Sequence, residues 1–429
     1  MLKKAKKIGF LGIGISNISL MALPRFRDLK ITLRSRDRID LFSLPRGLRI
    51  DRVFIGRDHL RDIDEDILFL SPSVKRDTPE LVSAKERGVI LCSDAELFFK
   101  ENNYPVYAVT GSDGKSTTAT LTHMLLREAG EINGLIGNIG EPMVRNLGRY
   151  ESYVAELSSF MLEALEPRSE RACITNITPN HLDFHGSFDK YRETKLKALK
   201  NARQCVLPEE LGDAFCVIGS DYSTLKKKRK AEVYITCEGG YVRRNGEILI
   251  SLDDIKRNEP HNIKNLMMAI GMTDGKVGKD EILSVARRFS GLAHRCQLIL
   301  SKNGVDYYDS SIDSTPERTA QTLRSLGRRC VLMLGGRSKG LDYSVMKNEI
   351  DRYAEKIIIC GENAEEIFAS IERTDAIIET DFEDAVRLGV ELSRTVGVLL
   401  LSPASTSYDR FKNYAERGEI FKEFILKNL

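Results

Sequence analysis

Nine residues, Thr110-Gly111-Ser112-Asp113-Gly114-Lys115-Ser116-Thr117-Thr118, constrain the fold of this chain more than any other stretch. The run before them, Tyr104 to Val109, is apolar and β-branched enough for a buried strand. After them Leu121, Met124, Leu125 and Ala129 recur at helical spacing until Gly130. A glycine-rich turn between a strand and a helix N-terminus is a place where backbone N–H groups and the helix dipole hold phosphate. Lys115 supplies a point charge for the outer phosphates and Ser116 a hydroxyl for Mg²⁺. The first glycine of a full Walker A pattern would fall where the chain has Val109, so an ordinary strand-to-helix turn stays open as the plainer reading.

A chain of 429 residues suggests two or three domains, and 42% hydrophobic residues are enough for a sizeable core. Lys plus Arg is 65 against 62 acids, so the net charge of +3 gives no general attraction to nucleic acid or anionic membrane. Eight cysteines without a Cys-x-x-Cys pair argue against zinc knuckles and a disulfide scaffold and fit a reducing cytoplasm. Lys3, Lys4, Lys6 and Lys7 before the apolar stretch Ile8 to Leu23 imitate a secretory signal. Ser16, Asn17 and Ser19 interrupt that stretch, and Gly9, Gly12 and Gly14 suit a tight strand-to-helix turn, so no signal peptide is expected.

Residues 1–94 read as short βα units, with Ile8 to Leu11, Ile31 to Leu33, Ile67 to Leu70 and Val89 to Leu91 strand-like. The turn Gly12-Ile13-Gly14-Ile15-Ser16-Asn17 has two glycines of a dinucleotide fingerprint and lacks the third, which leaves a tight turn and a nucleotide-binding turn as equal readings. Residues 95–292 read as a second domain. It holds the phosphate loop, strands at Tyr153 to Ala155 and Ala172 to Thr175, a hairpin about Asn245-Gly246 and a helix about Leu266 to Met272. The basic run Lys226 to Lys230 has no interleaved aromatics for stacking and reads as a solvated turn. A third βα-rich segment, 293–429, carries strands at Cys330 to Leu334, Lys356 to Cys360 and Val396 to Leu401. The fold class expected is α/β in three domains, Rossmann-like at both ends with a central P-loop mononucleotide-binding domain.

Glu156 follows a strand, so its carboxylate is placed to face the phosphate loop and hold Mg²⁺, with a plain helix-initiating acid as the alternative. His181, in the loop after the next strand, is a second metal-ligand candidate or a solvated histidine. Phe188, Tyr191, Lys195, Ala198 and Leu199 share one helical stripe, which sends the Lys195 stem into a packed face. Burial favours the neutral amine, which can take up CO₂ as a carbamate that bridges metals beside Glu156 and His181; a stem snorkelling to water is the alternative. Asp309-Ser310-Ser311, Gly335-Gly336-Arg337-Ser338-Lys339-Gly340 and Ser402-Pro403-Ala404-Ser405-Thr406-Ser407 each put polar groups at the carboxyl end of a strand, where open α/β sheets bind ligands.

Together these residues resemble the Mur ligase family. The elements that carry the likeness are the Thr110 to Thr118 loop, Glu156-Leu157-Ser158-Ser159-Phe160, Asn180-His181-Leu182-Asp183, Lys195-Leu196-Lys197, His261-Asn262 with Asn265, and His294-Arg295. The tail from Leu401 through Ser407-Tyr408-Asp409-Arg410-Phe411 to Arg417-Gly418 is similar to the D-glutamate-adding branch. The resemblance spans nearly the whole chain and implies that 1–94 bind a UDP-sugar, 95–292 bind ATP with magnesium at two sites, and 293–429 bind an incoming amino acid.

It also implies roles. Ser16, Ser35, Arg36, Ser71 and Asn138 would hold the UDP moiety. Gly111, Ser112, Asp113, Gly114, Lys115, Ser116 and Thr117 would cradle the ATP phosphates, Asn262 and Asn265 would sit by adenine, and Arg295 and Asp309 would contact ATP from the third domain. Lys195 would carry the carbamate, and with Ser116, Glu156 and His181 would ligate magnesium. Lys115, Glu156, His181 and Lys195 would be the catalytic set, and Asp313, Lys339, Ser407 and Tyr414 would border the amino-acid pocket. The implied reaction joins UDP-N-acetylmuramoyl-L-alanine to a free amino acid through an acyl phosphate, in peptidoglycan precursor synthesis. A cytoplasmic monomer without nucleic-acid or membrane partners is expected.

Two departures stand out. Asn17 occupies the place of a third glycine in the first turn, and the family's Asp-Ser-Lys-Ala-Thr-Asn reads here Asp309-Ser310-Ser311-Ile312-Asp313-Ser314. An acid thus replaces a threonine expected to touch the amino acid. Facing the pocket, Asp313 would repel glutamate and attract a basic amino acid such as lysine; pointing elsewhere, it would do neither. Two rival readings remain: a folylpolyglutamate-synthase-like ligase, which has no use for the first domain, and a non-catalytic nucleotide sensor, against which intact Lys115, Glu156, His181 and Lys195 speak.

Overall fold

The computed structural model describes residues 5–39, 41, 44–208, 214–219, 233–338 and 340–429, so the Lys226 to Lys230 run lies outside the described residues. The chain forms two compact units, 1–289 and 290–429. The first opens with β1 (Lys7–Leu11), α1 (Ile15–Met21), β2 (Lys30–Ser35), β3 (Ile50–Ile55), β4 (Ile67–Leu70), α2 (Pro79–Glu86), β5 (Ile90–Cys92) and α3 (Asp94–Glu101). All five strands are parallel in the order β3-β2-β1-β4-β5. Strand order reverses between β1 and β4, and a crevice forms at their carboxyl ends. The sequence pattern predicts no strand at β3, where charges interrupt the apolar residues; it forms as a half-exposed edge paired to β2.

The unit continues with β6 (Val106–Thr110), α4 (Lys115–Glu128), β7 (Asn133–Gly137), β8 (Ser152–Glu156), α5 (Ser159–Leu162), β9 (Arg168–Ile174), α6 (Leu182–His185) and α7 (Phe188–Leu196). After these come β10 (Asn201–Pro208), β11 (Ala214–Gly219), β12 (Val233–Glu238), β13 (Tyr241–Arg244), β14 (Glu247–Ser251), α8 (Pro260–Met272) and α9 (Lys279–Arg288). The sheet order is β14-β13-β12-β11-β10-β9-β6-β8-β7, parallel from β10 to β7 and antiparallel beyond. Asn245 and Gly246 both have positive φ, 48° and 84°, and Arg244 pairs with Glu247, as a two-residue hairpin turn requires. Glu156 closes β8 rather than following it. One apolar core runs through both sheets of this unit, from Phe10, Phe26 and Phe69 past Leu97 and Phe98 to Val106, Tyr153 and Leu162.

The second unit comprises β15 (Gln297–Lys302), β16 (Val305–Asp309), α10 (Pro316–Leu326), β17 (Cys330–Leu334), α11 (Lys347–Tyr353) and β18 (Ala354–Ile359). It ends with α12 (Ala364–Ile371), β19 (Ile377–Ile378), α13 (Phe382–Val396), β20 (Val398–Leu401) and α14 (Tyr414–Asn428). Its sheet runs β15-β16-β20-β17-β18-β19, with only β15 antiparallel to its neighbour, and apolar clusters cover both faces. Val396, read from sequence as the start of the last strand, instead ends α13, and Gly397 at φ 86° turns the chain into β20. Among the described residues no helix is long and apolar enough to cross a membrane.

Candidate active site

The centre of the first unit is the loop between β6 and α4. Gly111 has φ 145°, and a Cβ there would lie 1.9 Å from Thr175 Oγ1; Gly114 caps α4 at φ 76°, and its Cβ would meet Asn265 Oδ1 at 2.3 Å. Side chains at either place would push apart the backbone that a phosphate must approach. The loop is braced from the segment after β9 and from α7. Ser112 N donates to Asn176 O (2.9 Å), Asp113 N to Asn176 Oδ1 (2.9 Å), and Ser112 Oγ lies 2.9 Å from both Thr178 O and Tyr191 Oη. Lys115 Nζ donates to Ser112 O (2.6 Å), folding the amine back over the loop. Asn265, expected beside adenine, sits against the loop and lies 3.3 Å from Thr118 Oγ1; Asn262 donates to Glu259 Oε2 (2.9 Å).

Glu156, on the strand next to β6 and in register with Val109, is fully buried. Its Oε1 accepts from Asn138 Nδ2 (2.7 Å), while Oε2 is buried without a hydrogen-bond partner. Lys195 on α7 is 1% exposed and donates to Thr110 Oγ1 at 3.1 Å, so the expected packed stem is observed. Burial draws its amine down to about 7, with the Lys115 charge acting in the same direction and Glu156 and Asp113 opposing. His181 is exposed at the start of α6, with φ 51° and its ring 4.9 Å from that of Phe160.

Among the described residues no three His, Cys, Asp or Glu side chains gather as a metal cluster. Magnesium takes only one or two carboxylates from a protein and fills its shell with water and phosphate oxygens. The unfilled Glu156 Oε2 at the strand beside the phosphate loop fits that need, and a buried Lys195 amine brought down to about 7 supplies the neutral form that adds CO₂.

At the first sheet's crevice Ser16 and Ser71 line one cavity together with Phe160, Met161 and Glu163 from the central part of the unit. Ser71 Oγ donates to Gly12 O (2.8 Å). Asn17 is fully buried, and its Nδ2 donates to Gly12 O (2.7 Å), Leu11 O (3.2 Å) and Phe69 O (3.4 Å), closing by side chain the turn that a third glycine would close by backbone. Ser35 ends β2, and Arg36 beyond it is exposed. Sequence reading missed Arg34, fully buried and paired to Glu65 at 2.8 Å. It donates to the carbonyls of His59, Arg61 and Asp62, fixing the loop that leads into β4.

In the second unit Asp309 is fully buried, 2.6 Å from His294 Nδ1, and its Oδ1 accepts from Ser311 N (2.8 Å). Arg295 beside His294 is exposed. Asp313 is 4% exposed, and its Oδ2 accepts from Thr322 Oγ1 (2.7 Å) and Ser402 Oγ (2.8 Å); burial raises its carboxyl above the ordinary range. Ser407 is buried and Tyr414 is 42% exposed. Lys339 lies outside the described residues. Arg417, with no role read from sequence, is buried among the loops after β16, β17 and β20.

Residues 109–273 match the Mur ligase middle domain and 294–405 the Mur ligase, glutamate ligase domain. The chain is 33% identical to the UDP-N-acetylmuramoylalanine--D-glutamate ligase of Ruminiclostridium cellulolyticum over 98% of this chain and 97% of that one. It is 32% identical to the ligase of the same name from Clostridium botulinum, with the same coverage. Among solved structures it is similar to UDP-N-acetylmuramate-alanine ligase MurC of Thermotoga maritima. That likeness has a TM-score of 0.57 at 20% identity and covers 99% of this chain and 100% of the other, which bears on the fold. With matched domains over most of its length and relatives that align end to end, the chain belongs to the Mur ligase family, enzymes that form amide bonds with ATP.

Proposed function

We propose that this chain joins D-glutamate to UDP-N-acetylmuramoyl-L-alanine with ATP, giving ADP and phosphate, in peptidoglycan precursor synthesis. The observation that carries the reading is end-to-end likeness to D-glutamate ligases in a chain whose phosphate loop, buried carboxylate and buried lysine meet at one sheet edge. Residues 1–94 hold the UDP-sugar through Ser16, Ser35, Arg36, Ser71 and Asn138, residues 95–292 hold ATP, and residues 293–429 hold the amino acid beside Ser407 and Tyr414. The protein acts as a cytoplasmic monomer. Asp313 turns its carboxyl into a cluster of hydroxyls, an arrangement that supports D-glutamate over a basic amino acid.

In the first step an oxygen of the sugar's alanyl carboxylate attacks the γ-phosphorus, and the bond to the bridging oxygen of ADP breaks. The amine nitrogen of D-glutamate then attacks the acyl carbon; phosphate leaves with the acyl oxygen, and the amine loses a proton. The chain's task is positioning and charge neutralisation. Backbone N–H groups of Gly114 to Thr117, at the start of α4, orient the phosphates, and Lys115 offsets charge as two anions approach. Magnesium, held by Ser116, Glu156, His181 and the carbamate of Lys195, would when bound withdraw charge from the phosphate oxygens. Asn138, bonded to Glu156, ties the sugar side of the site to the carboxylate.

Phosphate release from ATP tests the reading, with UDP-N-acetylmuramoyl-L-alanine and D-glutamate each omitted in turn. Release that needs both supports it, and release with D-glutamate replaced equally well by D- or L-lysine would remove D-glutamate as the substrate.

A further inference from the structure

Arg417, in the first turn of α14, is 2% exposed, and among the described residues no carboxylate pairs with it. Its guanidinium donates to Ser311 Oγ (2.9 Å), Ser311 O (2.9 Å), Ser405 O (3.0 Å), Thr406 O (3.3 Å) and Gly335 O (3.4 Å), every one a neutral oxygen. A cation taken out of water without an anion is costly even when its protons are all bonded. Burial brings its pKa down to about 10, so the charge persists at neutral pH. The close approach is built in: Gly336, at φ 151°, would with a Cβ meet Thr406 O at 2.1 Å and Arg417 Nη1 at 3.0 Å.

The acids around it do not discharge it. Asp309 is engaged with His294, and burial raises the Asp313 carboxyl toward its neutral form although its hydroxyl neighbours oppose this. Asp409 exerts the largest opposing influence. It shares a small cavity with Arg417, and its Oδ1 is sealed from water with no hydrogen-bond partner. The five bonds reach three loops, those after β16, β17 and β20, at the carboxyl edge where a sheet of this kind takes its ligand. Ser311 passes the connection on to Tyr414 O (2.8 Å), and the Ser405 and Thr406 carbonyls lie just before Ser407.

We propose that Arg417 is a positioning and specificity-determining residue of the amino-acid pocket: its buried charge, in direct contact with no carboxylate, favours an amino acid with an anionic side chain, and Asp409 moderates that preference. The inference rests on the D-glutamate reading and adds to it a source of the selectivity. It concerns a through-space field and the placement of loops, not contact with substrate.

The test compares D-glutamate with its neutral isostere D-glutamine, as substrate or as competing ligand, in the full-length enzyme and in Arg417→Gln, Arg417→Lys and Asp409→Asn. The preference for D-glutamate should fall about tenfold in Arg417→Gln, stay within about threefold of wild type in Arg417→Lys, and rise about threefold in Asp409→Asn. A merely structural role would lower binding of both ligands alike in both arginine variants and leave the ratio unmoved, which would overturn the proposal. Asp409 is a half-buried acid whose replacement breaks no hydrogen bond at Oδ1, so its variant decides the matter where Arg417→Gln does not fold: a ratio that is unchanged or lower sinks the proposal. Wild-type enzyme that shows no release dependent on D-glutamate would overturn the reading beneath it instead.

Discussion

Lys195 Nζ lies 3.1 Å from Thr110 Oγ1, so the amine of α7 is tied to the last residue of the strand that leads into the phosphate loop. Thr110 Oγ1 in turn donates to Leu157 O (2.7 Å), which puts the lysine, the loop and the segment after Glu156 in one hydrogen-bonded chain. Burial is the main reason the amine titrates near 7 instead of the ordinary 10.5. Between those values the unfolded chain binds a proton that the folded chain lacks, so stability rises with pH across that window and is lost as pH falls toward 7. In buffer free of CO₂, wild type should gain about 1–3 kcal/mol over Lys195→Met between pH 7 and 9.5, read by denaturant unfolding. Equal gains in the two proteins would mean that the amine is not held neutral. Turnover should be lost in Lys195→Ala and partly restored by added short carboxylates.

Gly111→Ala places a Cβ 1.9 Å from Thr175 Oγ1 at φ 145°. The loop must shift or stay strained, at about 2–4 kcal/mol. Calorimetric titration should find ATP binding weakened more than about tenfold while far-UV circular dichroism keeps its shape. Unaltered affinity would remove this loop as the phosphate cradle.

Asn17→Ala removes an amide that donates to the Gly12 and Leu11 carbonyls inside the first crevice. Leaving those acceptors without it should cost about 1–3 kcal/mol in chemical denaturation. KM for the UDP-sugar should rise and KM for ATP should not. A rise in both would argue that the turn serves general stability alone.

Asp313 has a carboxyl raised by burial, against donated bonds from its hydroxyl neighbours that lower it. A raised carboxyl in the folded state contributes stability below its unfolded pKa and loses it as pH climbs through the folded value. Relative to Asp313→Asn, wild type should therefore lose stability as pH rises above about 4, and its preference for D-glutamate over lysine should be unchanged in Asp313→Thr. A marked strengthening of that preference in Asp313→Thr would restore the pocket-facing role.

The phosphate loop was legible because its glycines, lysine and hydroxyls are adjacent in sequence and their flanks show clear strand and helix periods. Lys195 was legible for a related reason, since the apolar residues that share its inward face lie on its own helix and the short turn that continues it. Arg34 and Arg417 were not. Arg34 is held by loop carbonyls 25 or more residues away, such as His59 O, and Arg417 by loop carbonyls up to 106 residues away, such as Ser311 O, and no local period encodes such closure. The direction of Asp313 likewise depends on Ser402, 89 residues distant. The edge strand β3 escaped notice because its pairing to β2 stabilises a segment too charged to announce itself.

The core that passes without a break from Phe10 and Phe69 to Tyr153 and Leu162 has a mechanical consequence. The crevice of the first sheet and the phosphate loop cannot part without exposing aromatic and aliphatic side chains to water, so they behave as one rigid body. A truncation that begins near residue 95 would leave Phe98 and its neighbours uncovered, and the remainder would be expected to aggregate instead of surviving as an isolated nucleotide-binding fragment.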